Sequence, residues 1–341
     1  MILYCTMTTG PVNTAAAGIC YRYVMTGKPI LLSGVKPTGD AHIGNYFGAL
    51  KQFVDMQNRG THECYFMIAD YHALNSVQNA EEMRKLTHEL ALTFLAIGID
   101  PKKAVLFKQS DVSAHTELAW IFDTLTTMPY LERAHAYKDA EAKGKEISVG
   151  TFNYPMLMAA DILLYDTSTV PVGQDQKQHI EYARDTAEKF NRVYGDTFRL
   201  PEPLIMPEVA VVPGIDGQKM SKSYGNTIPL FASRAVIEEK VKGIVTDSDG
   251  DVPTNVYAIH KLIKSPERLA PLYEEHRGKY KVLKDALVED LDAFIAPMRT
   301  RYEELAKSPK KVAALLERGG KQAQKKAEER MKLVRKAVGV R

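Results

Sequence analysis

Two glycine-bracketed segments carry the residue types needed to handle phosphate. The first, GVKPTGDAHIGN, runs from Gly34 to Asn45, between a short apolar run and a helix-like stretch. Gly34, Gly39 and Gly44 let the backbone turn tightly or approach a ligand closely. The helix beyond them offers unpaired N–H groups to an anion. His42 and Asn45 lie three residues apart, so both can face one ligand where that helix begins. Imidazole and amide donors there would stabilise charge developing on a phosphoryl group, and neither need act as a base. The second segment, GIDGQKMSKSYGN, runs from Gly214 to Asn226. Lys219 and Lys222 bracket Met220 and Ser221 in a loop that its glycines allow to close, giving two ammonium groups for successive phosphates. Displacement at phosphorus needs such help, because its catalysis is largely positioning and charge stabilisation. Taken alone, the first segment also reads as an ordinary turn and the second as an exposed loop. The pair, 177 residues apart from His42 to Lys219, is more specific than either. Neither the Walker pattern nor the dinucleotide fingerprint GxGxxG is present.

A second constellation lies between them. Tyr154, Met158 and Asp161 stand at i, i+4 and i+7 of a helical stretch and line one face. A carboxylate only accepts hydrogen bonds, and a buried charge without a partner is costly. Asp161 within LMAADILL therefore asks for a ligand or for a donor from elsewhere in the chain; the plainer alternative is a core face with one buried carboxylate. Gly173, Asp175 and Gln176 follow the apolar run TVPVG, at a strand's carboxyl end, where open parallel sheets bind ligands. His72 follows Asp70, which closes the apolar run CYFMIAD.

The elements that must position these residues alternate. ILLSG (30–34), CYFMIAD (64–70), AVLFKQSD (104–111) and TVPVG (169–173) read as buried strands, with PLIMPE (203–208) and VVPG (211–214) as further short apolar runs. Helical periodicity covers 44–57, 78–97, 155–165 and 174–191, and Ser113 is expected to cap a helix reaching about Thr127. Pro155 suits a first helical turn. Alternating strands and helices with continuous apolar strands predict an α/β domain with a parallel sheet covered on both faces. Residues 134–150 read as a long polar loop. Beyond Pro229 the segments 232–243, 254–264, 266–276, 279–296, 298–306 and 309–338 all read as helices, the last rich in strong helix formers.

Composition sets outer bounds. Of 341 residues, 45% are hydrophobic and 26% charged, an ordinary globular balance that excludes disorder and fibrous repeats. The length suggests two domains or three. No uncharged apolar run is long enough for a membrane span. The net charge is only +3, but residues 301–341 carry +8 and the rest −5, so a polyanion at the basic tail competes with a solvated terminal helix as its explanation. Cys5, Cys20 and Cys64 have no metal-ligand spacing, which fits a reducing compartment. Residues 1–28 hold neither a signal peptide nor a convincing targeting helix and are set aside as an extension, with Met25 an alternative start.

His42-Ile43-Gly44-Asn45 and Lys219-Met220-Ser221-Lys222-Ser223 match the two signatures of the class I aminoacyl-tRNA synthetases. With YPMLMAADILLY and PVGQDQKQHIEYARD, the chain from Pro29 onward resembles the tryptophan branch of that family. The resemblance implies a Rossmann-like catalytic domain over 29–229 and a helical anticodon-binding domain over 230–341. It also implies ATP-dependent activation of L-tryptophan and its transfer to tRNA(Trp) by a cytoplasmic homodimer with no membrane segment. ATP enters as substrate with Mg2+, and no metal is held by the protein alone. His42, Asn45, Lys219 and Lys222 are then the catalytic residues. Lys36, Thr38, Gly44, Gly173, Asp175, Gln176, Met220 and Ser221 join Asn45 and the two lysines in binding ATP. His72, Tyr154, Met158, Asp161 and Gln176 bind tryptophan: the Met158 thioether packs on the indole, and Asp161 accepts from its N–H. The sister tyrosine enzymes commonly carry Gln where Met158 stands. Two departures are visible: Leu32 replaces a common aromatic, and Tyr137-Lys138-Asp139-Ala140 lacks the second lysine of a frequent F-K-x-K loop, leaving Lys143 or Lys145 as substitutes. A binding protein that kept the fold but lost aminoacylation is the competing class, and the intact motifs argue against it.

Overall fold

In the computed structural model, the described residues are 27–142, 144, 146–172, 177–205, 212–246 and 251–340. Five strands form one parallel sheet in the order β3-β2-β1-β4-β5. They are β1 (Ile30–Val35), β2 (Glu63–Ile68), β3 (Ala104–Lys108), β4 (Thr169–Val172) and β5 (Glu202–Ile205). Side chains alternate along β1, β2 and β3. Leu31, Phe66 and Leu106 enter one apolar cluster, and Leu32, Tyr65, Met67 and Phe107 enter the other. Both sheet faces are thus buried, which is why the strands read as unbroken apolar runs. Strand order reverses direction between β1 and β4, opening a crevice at their carboxyl ends.

The first helical layer contains α1 (Ile43–Asn45), a π segment (Tyr46–Leu50) and α2 (Lys51–Arg59), which follow one another without a break. After them come α3 (Asp70–Ala73), α4 (Ala80–Ile97), α5 (Ala114–Asp123), α6 (Met128–Leu131), α7 (His135–Ala142), α8 (Val149–Leu163) and α9 (Lys177–Tyr194). The helices α10 (Arg234–Lys242), α11 (Thr254–His260), α12 (Pro266–Glu275), α13 (Tyr280–Ala306) and α14 (Pro309–Val338) complete the chain. Apolar side chains of α10, α11 and α13 share one cluster with Leu31 and Phe66, so this helical layer is continuous with the sheet's core. Helix α14 crosses β3, where a Cβ on Gly319 would stand 1.9 Å from the Leu106 carbonyl oxygen.

Several sequence expectations are corrected. The polar stretch 134–150 is not one long loop: its Ala, Lys and Glu residues form α7, and Ser148 caps α8 by accepting the Thr151 N–H at 3.1 Å. Pro155 is consequently interior to α8 rather than in a first turn, and Pro297 lies inside a continuous α13 that the sequence divides in two. Ser113 occupies the N-cap of α5, but its hydroxyl makes no capping bond, and the helix stops at Asp123. The short apolar run at Val212 and Pro213 leads directly into the lysine loop. Val212 accepts the Met220 N–H at 2.9 Å, and Pro213 bridges to Lys219.

Candidate active site

The two phosphate-type segments meet. Lys222 Nζ donates to the Thr38 carbonyl at 3.1 Å, across 184 residues of chain. The Ile43 N–H donates to Ile228 at 3.0 Å, the Leu230 N–H to Ala41 at 2.9 Å, and Met220 Cβ packs where a Cβ on Gly44 would stand. His42 is buried at the start of α1 and forms a reciprocal cap with Asn45: Asn45 N–H donates to His42 Nδ1 at 3.3 Å, and His42 N–H to Asn45 Oδ1 at 3.1 Å. Because Nδ1 accepts, the ring proton belongs on Nε2, and the Asn45 amide keeps its NH2 free to donate. Burial, with the Lys222 charge adding to it, pushes His42 down to about 4, so the ring is a neutral donor near pH 7. Lys222 is lowered by burial, against the pull of Asp40 and Glu89.

Asn226, the last residue of the second glycine-bracketed segment, organises the lysine loop. Its buried amide accepts the Ser221 N–H at 2.8 Å and donates to Asp216 Oδ1 at 2.7 Å and the Lys219 carbonyl at 3.2 Å. A Cβ on Gly214 would strike that amide at 2.3 Å, and Gly217 turns with φ +81°. Met220 is buried beneath the loop, while Lys219 and Lys222 are exposed on it.

Beside this junction a cavity of about 450 Å³ opens at the reversal between β1 and β4. Its walls include Gly34, Lys36, His72, Tyr154, Met158 and Asp161, with Ile162, Val170 and Ile180 as apolar lining. The i, i+4, i+7 face of α8 thus reaches one pocket together with His72 of α3, whose ring meets that of Tyr154 edge-on. Asp161 is buried but partnered. Gln109 Nε2 donates to Oδ1 at 2.8 Å, His115 Nδ1 approaches Oδ1 at 2.7 Å without the alignment of a full hydrogen bond, and His72 Nε2 lies 2.9 Å from Oδ2. Burial acts to raise this carboxyl, yet the His115 and His72 rings outweigh it and hold it below the usual carboxylate range. The donor from elsewhere in the chain that the sequence leaves open is thus present, and burial of this carboxylate does not by itself demand a ligand.

The sequence model of the family described as tRNA synthetases class I (W and Y) matches residues 25–328. A tryptophan–tRNA ligase of Fusobacterium nucleatum is 45% identical over 318 residues, covering 91% of this chain and 97% of the relative. One from Campylobacter jejuni is 44% identical over 319 residues, covering 91% and 99%. The crystal structure of tryptophanyl-tRNA synthetase from Campylobacter jejuni complexed with ADP and tryptophan superposes with a TM-score of 0.85 at 43% identity, covering 91% of this chain and all of that one. The chain belongs to the tryptophanyl-tRNA synthetase family.

Within this family member the remaining sequence-derived residues are placed as follows. Lys36 lines the cavity, and Thr38 stands at the junction of the two segments, its carbonyl accepting from Lys222. Gly173, Asp175, Gln176, Lys143 and Lys145 lie outside the described residues. Lys138 is exposed on α7. The sequence reading missed Gln109, His115, Asn75 and Thr151, although Gln109 follows the β3 apolar run directly, at the sheet edge where ligands bind.

Proposed function

We propose that the chain activates L-tryptophan with ATP and transfers it to tRNA(Trp). The observation that carries the reading is the joining of the HIGN and KMSKS segments beside a cavity walled by Met158, Asp161, Tyr154 and His72. Tryptophan lies in that cavity with its ring against Met158 and its N–H toward Asp161 Oδ2. That oxygen has one protein partner and so one lone pair left. One carboxylate oxygen of tryptophan attacks the α-phosphorus of ATP. A new P–O bond forms, the bond to the bridging oxygen breaks, and pyrophosphate leaves with the electron pair. Lys219 and Lys222 neutralise the departing charge, His42 donates from Nε2 and Asn45 from its amide NH2, each strongest where charge develops. No base is required, because a carboxylate is already a nucleophile. The 2′-hydroxyl of the terminal tRNA ribose then attacks the activated carbonyl, loses its proton and releases AMP.

Magnesium enters as part of the Mg·ATP substrate, since it keeps its waters and leans on phosphates. Described residues include no group of three or more His, Cys, Asp or Glu side chains fit to hold a metal. Gly173, Asp175 and Gln176 serve ATP and the substrate amino group. Residues 29–229 form the catalytic unit, and the helices from about 230 bind the anticodon end of tRNA in a cytoplasmic homodimer. Among the described residues no helix is long and apolar enough to cross a membrane. ATP–pyrophosphate exchange with each of the twenty amino acids tests the reading. Exchange with tryptophan alone is expected; exchange with tyrosine would sink the role given to Met158 and Asp161, and none at all would favour a binding protein.

A further inference from the structure

Asp161 is backed by groups that no substrate can reach. Oδ1 faces Gln109 and His115, and behind His115 the Tyr165 hydroxyl lies 2.7 Å from Nε2. With Nδ1–H turned to the carboxylate, Nε2 is an acceptor and Tyr165 donates to it. Gln109, His115 and Tyr165 have no exposed surface and lie outside the cavity wall. Gln109 also accepts the His72 N–H at 3.4 Å, tying both partners of the carboxylate to the end of β3. The Tyr165 and His115 rings pack on Phe107. Apolar side chains would fill this space without any polar group to satisfy, so the polar chain calls for a reason.

We propose that Tyr165, His115 and Gln109 form a positioning relay that occupies Oδ1 of Asp161 and thereby presents Oδ2 to the indole N–H, setting the cavity's preference for tryptophan over ring systems that lack that donor. The proposal rests on the reading of Asp161 as indole acceptor. Gln109 takes one lone pair of Oδ1, the His115 ring covers the same oxygen at 2.7 Å, and His72 takes one lone pair of Oδ2, which leaves the open acceptor position of Oδ2 toward the cavity. The titratable groups facing the carboxylate are His72 from α3 and His115 from α5. Tyr165, just past α8, acts through His115, and Tyr65 of β2 packs on the Tyr165 ring. Burial holds Tyr165 well above its ordinary range, so it remains a neutral donor.

The test is ATP–pyrophosphate exchange by the full chain, with L-tryptophan and with β-(3-benzothienyl)-L-alanine, which has sulfur in place of the ring N–H. Tyr165→Phe removes one hydroxyl and keeps the ring packing; Gln109→Met removes the second donor and covers the case in which the first variant does not fold. Each should raise KM for tryptophan roughly three- to ten-fold with kcat near that of the parent. KM for the sulfur analogue should hardly move. A parent-like preference in both variants, with the preference lost in Asp161→Asn, overturns the relay. So does an equal rise in KM for both amino acids, which is what a merely structural role produces. If Asp161→Asn keeps the preference, the indole reading beneath the proposal fails instead.

Discussion

Lys222 combines two properties that are individually ordinary. It is partly desolvated, and it already bridges to Thr38. Its ammonium is therefore held where leaving-group charge appears, with little reorganisation left for the reaction. Lys222→Met should lower kcat for pyrophosphate exchange about 10²- to 10³-fold while KM for tryptophan changes little; equal damage to both would contradict the role. His42 makes a prediction about pH. Its ring titrates near 6.5 when unfolded and at about 4 when folded. Between those values the unfolded chain binds a proton that the folded chain refuses. Stability is thus full above about 6.5 and falls as the pH drops towards 4. Urea midpoints at neutral pH and in mild acid should show a smaller acid loss in His42→Asn than in the parent. An equal loss would mean that folded His42 titrates normally.

Helices and loops decide whether these groups stay in register. The lysine loop is closed by one buried amide, so Asn226→Ala leaves the Ser221 N–H and the Asp216 carboxylate without that partner. The loop should loosen, with kcat falling more than overall stability, as turnover and thermal unfolding would report together. Helix α14 touches β3 through Gly319 with no room for a methyl group. Gly319→Ala should cost on the order of 3 kcal/mol in chemical denaturation, whereas Gly48→Ala, with open space at its Cβ, should be near neutral. The elements least legible in the sequence are those where local cues mislead. Pro155 and Pro297 signal helix ends, yet the packed faces on either side keep both helices continuous. A polar composition likewise made α7 read as loop, although its residues are good helix formers.

At the scale of the molecule, the strand reversal between β1 and β4 places the cavity, and α5, α6 and α8 each carry a large apolar side chain that the described residues leave uncovered. Trp120 is 70% exposed, Met128 62% and Val149 80%. Exposed apolar side chains of this size mark association surfaces when they cluster. The proposed homodimer should therefore give a gel-filtration mass of two chains, and Trp120→Glu should shift it towards one. A single-chain mass for the parent at every concentration would count against the dimer. The basic terminal helix is also partly committed inward. Arg330 pairs with Asp166 and Arg335 with Glu117 and Glu328, so only part of its charge is left to meet a polyanion.

Side-chain chemistry and local period are properties of short stretches, so the sequence alone determined the strands, the amphipathic helices, the two phosphate-handling loops and the face that carries Tyr154, Met158 and Asp161. Partners are another matter. The donors to Asp161 come from positions 52 and 89 residues away, and the contact of Lys222 with Thr38 spans 184. Such pairs exist only after the parallel sheet has fixed its strand order. Whether a buried carboxylate is satisfied, a histidine neutral or a proline tolerated inside a helix was therefore decided by the tertiary structure, because burial and hydrogen-bond geometry arise when distant segments close on one another.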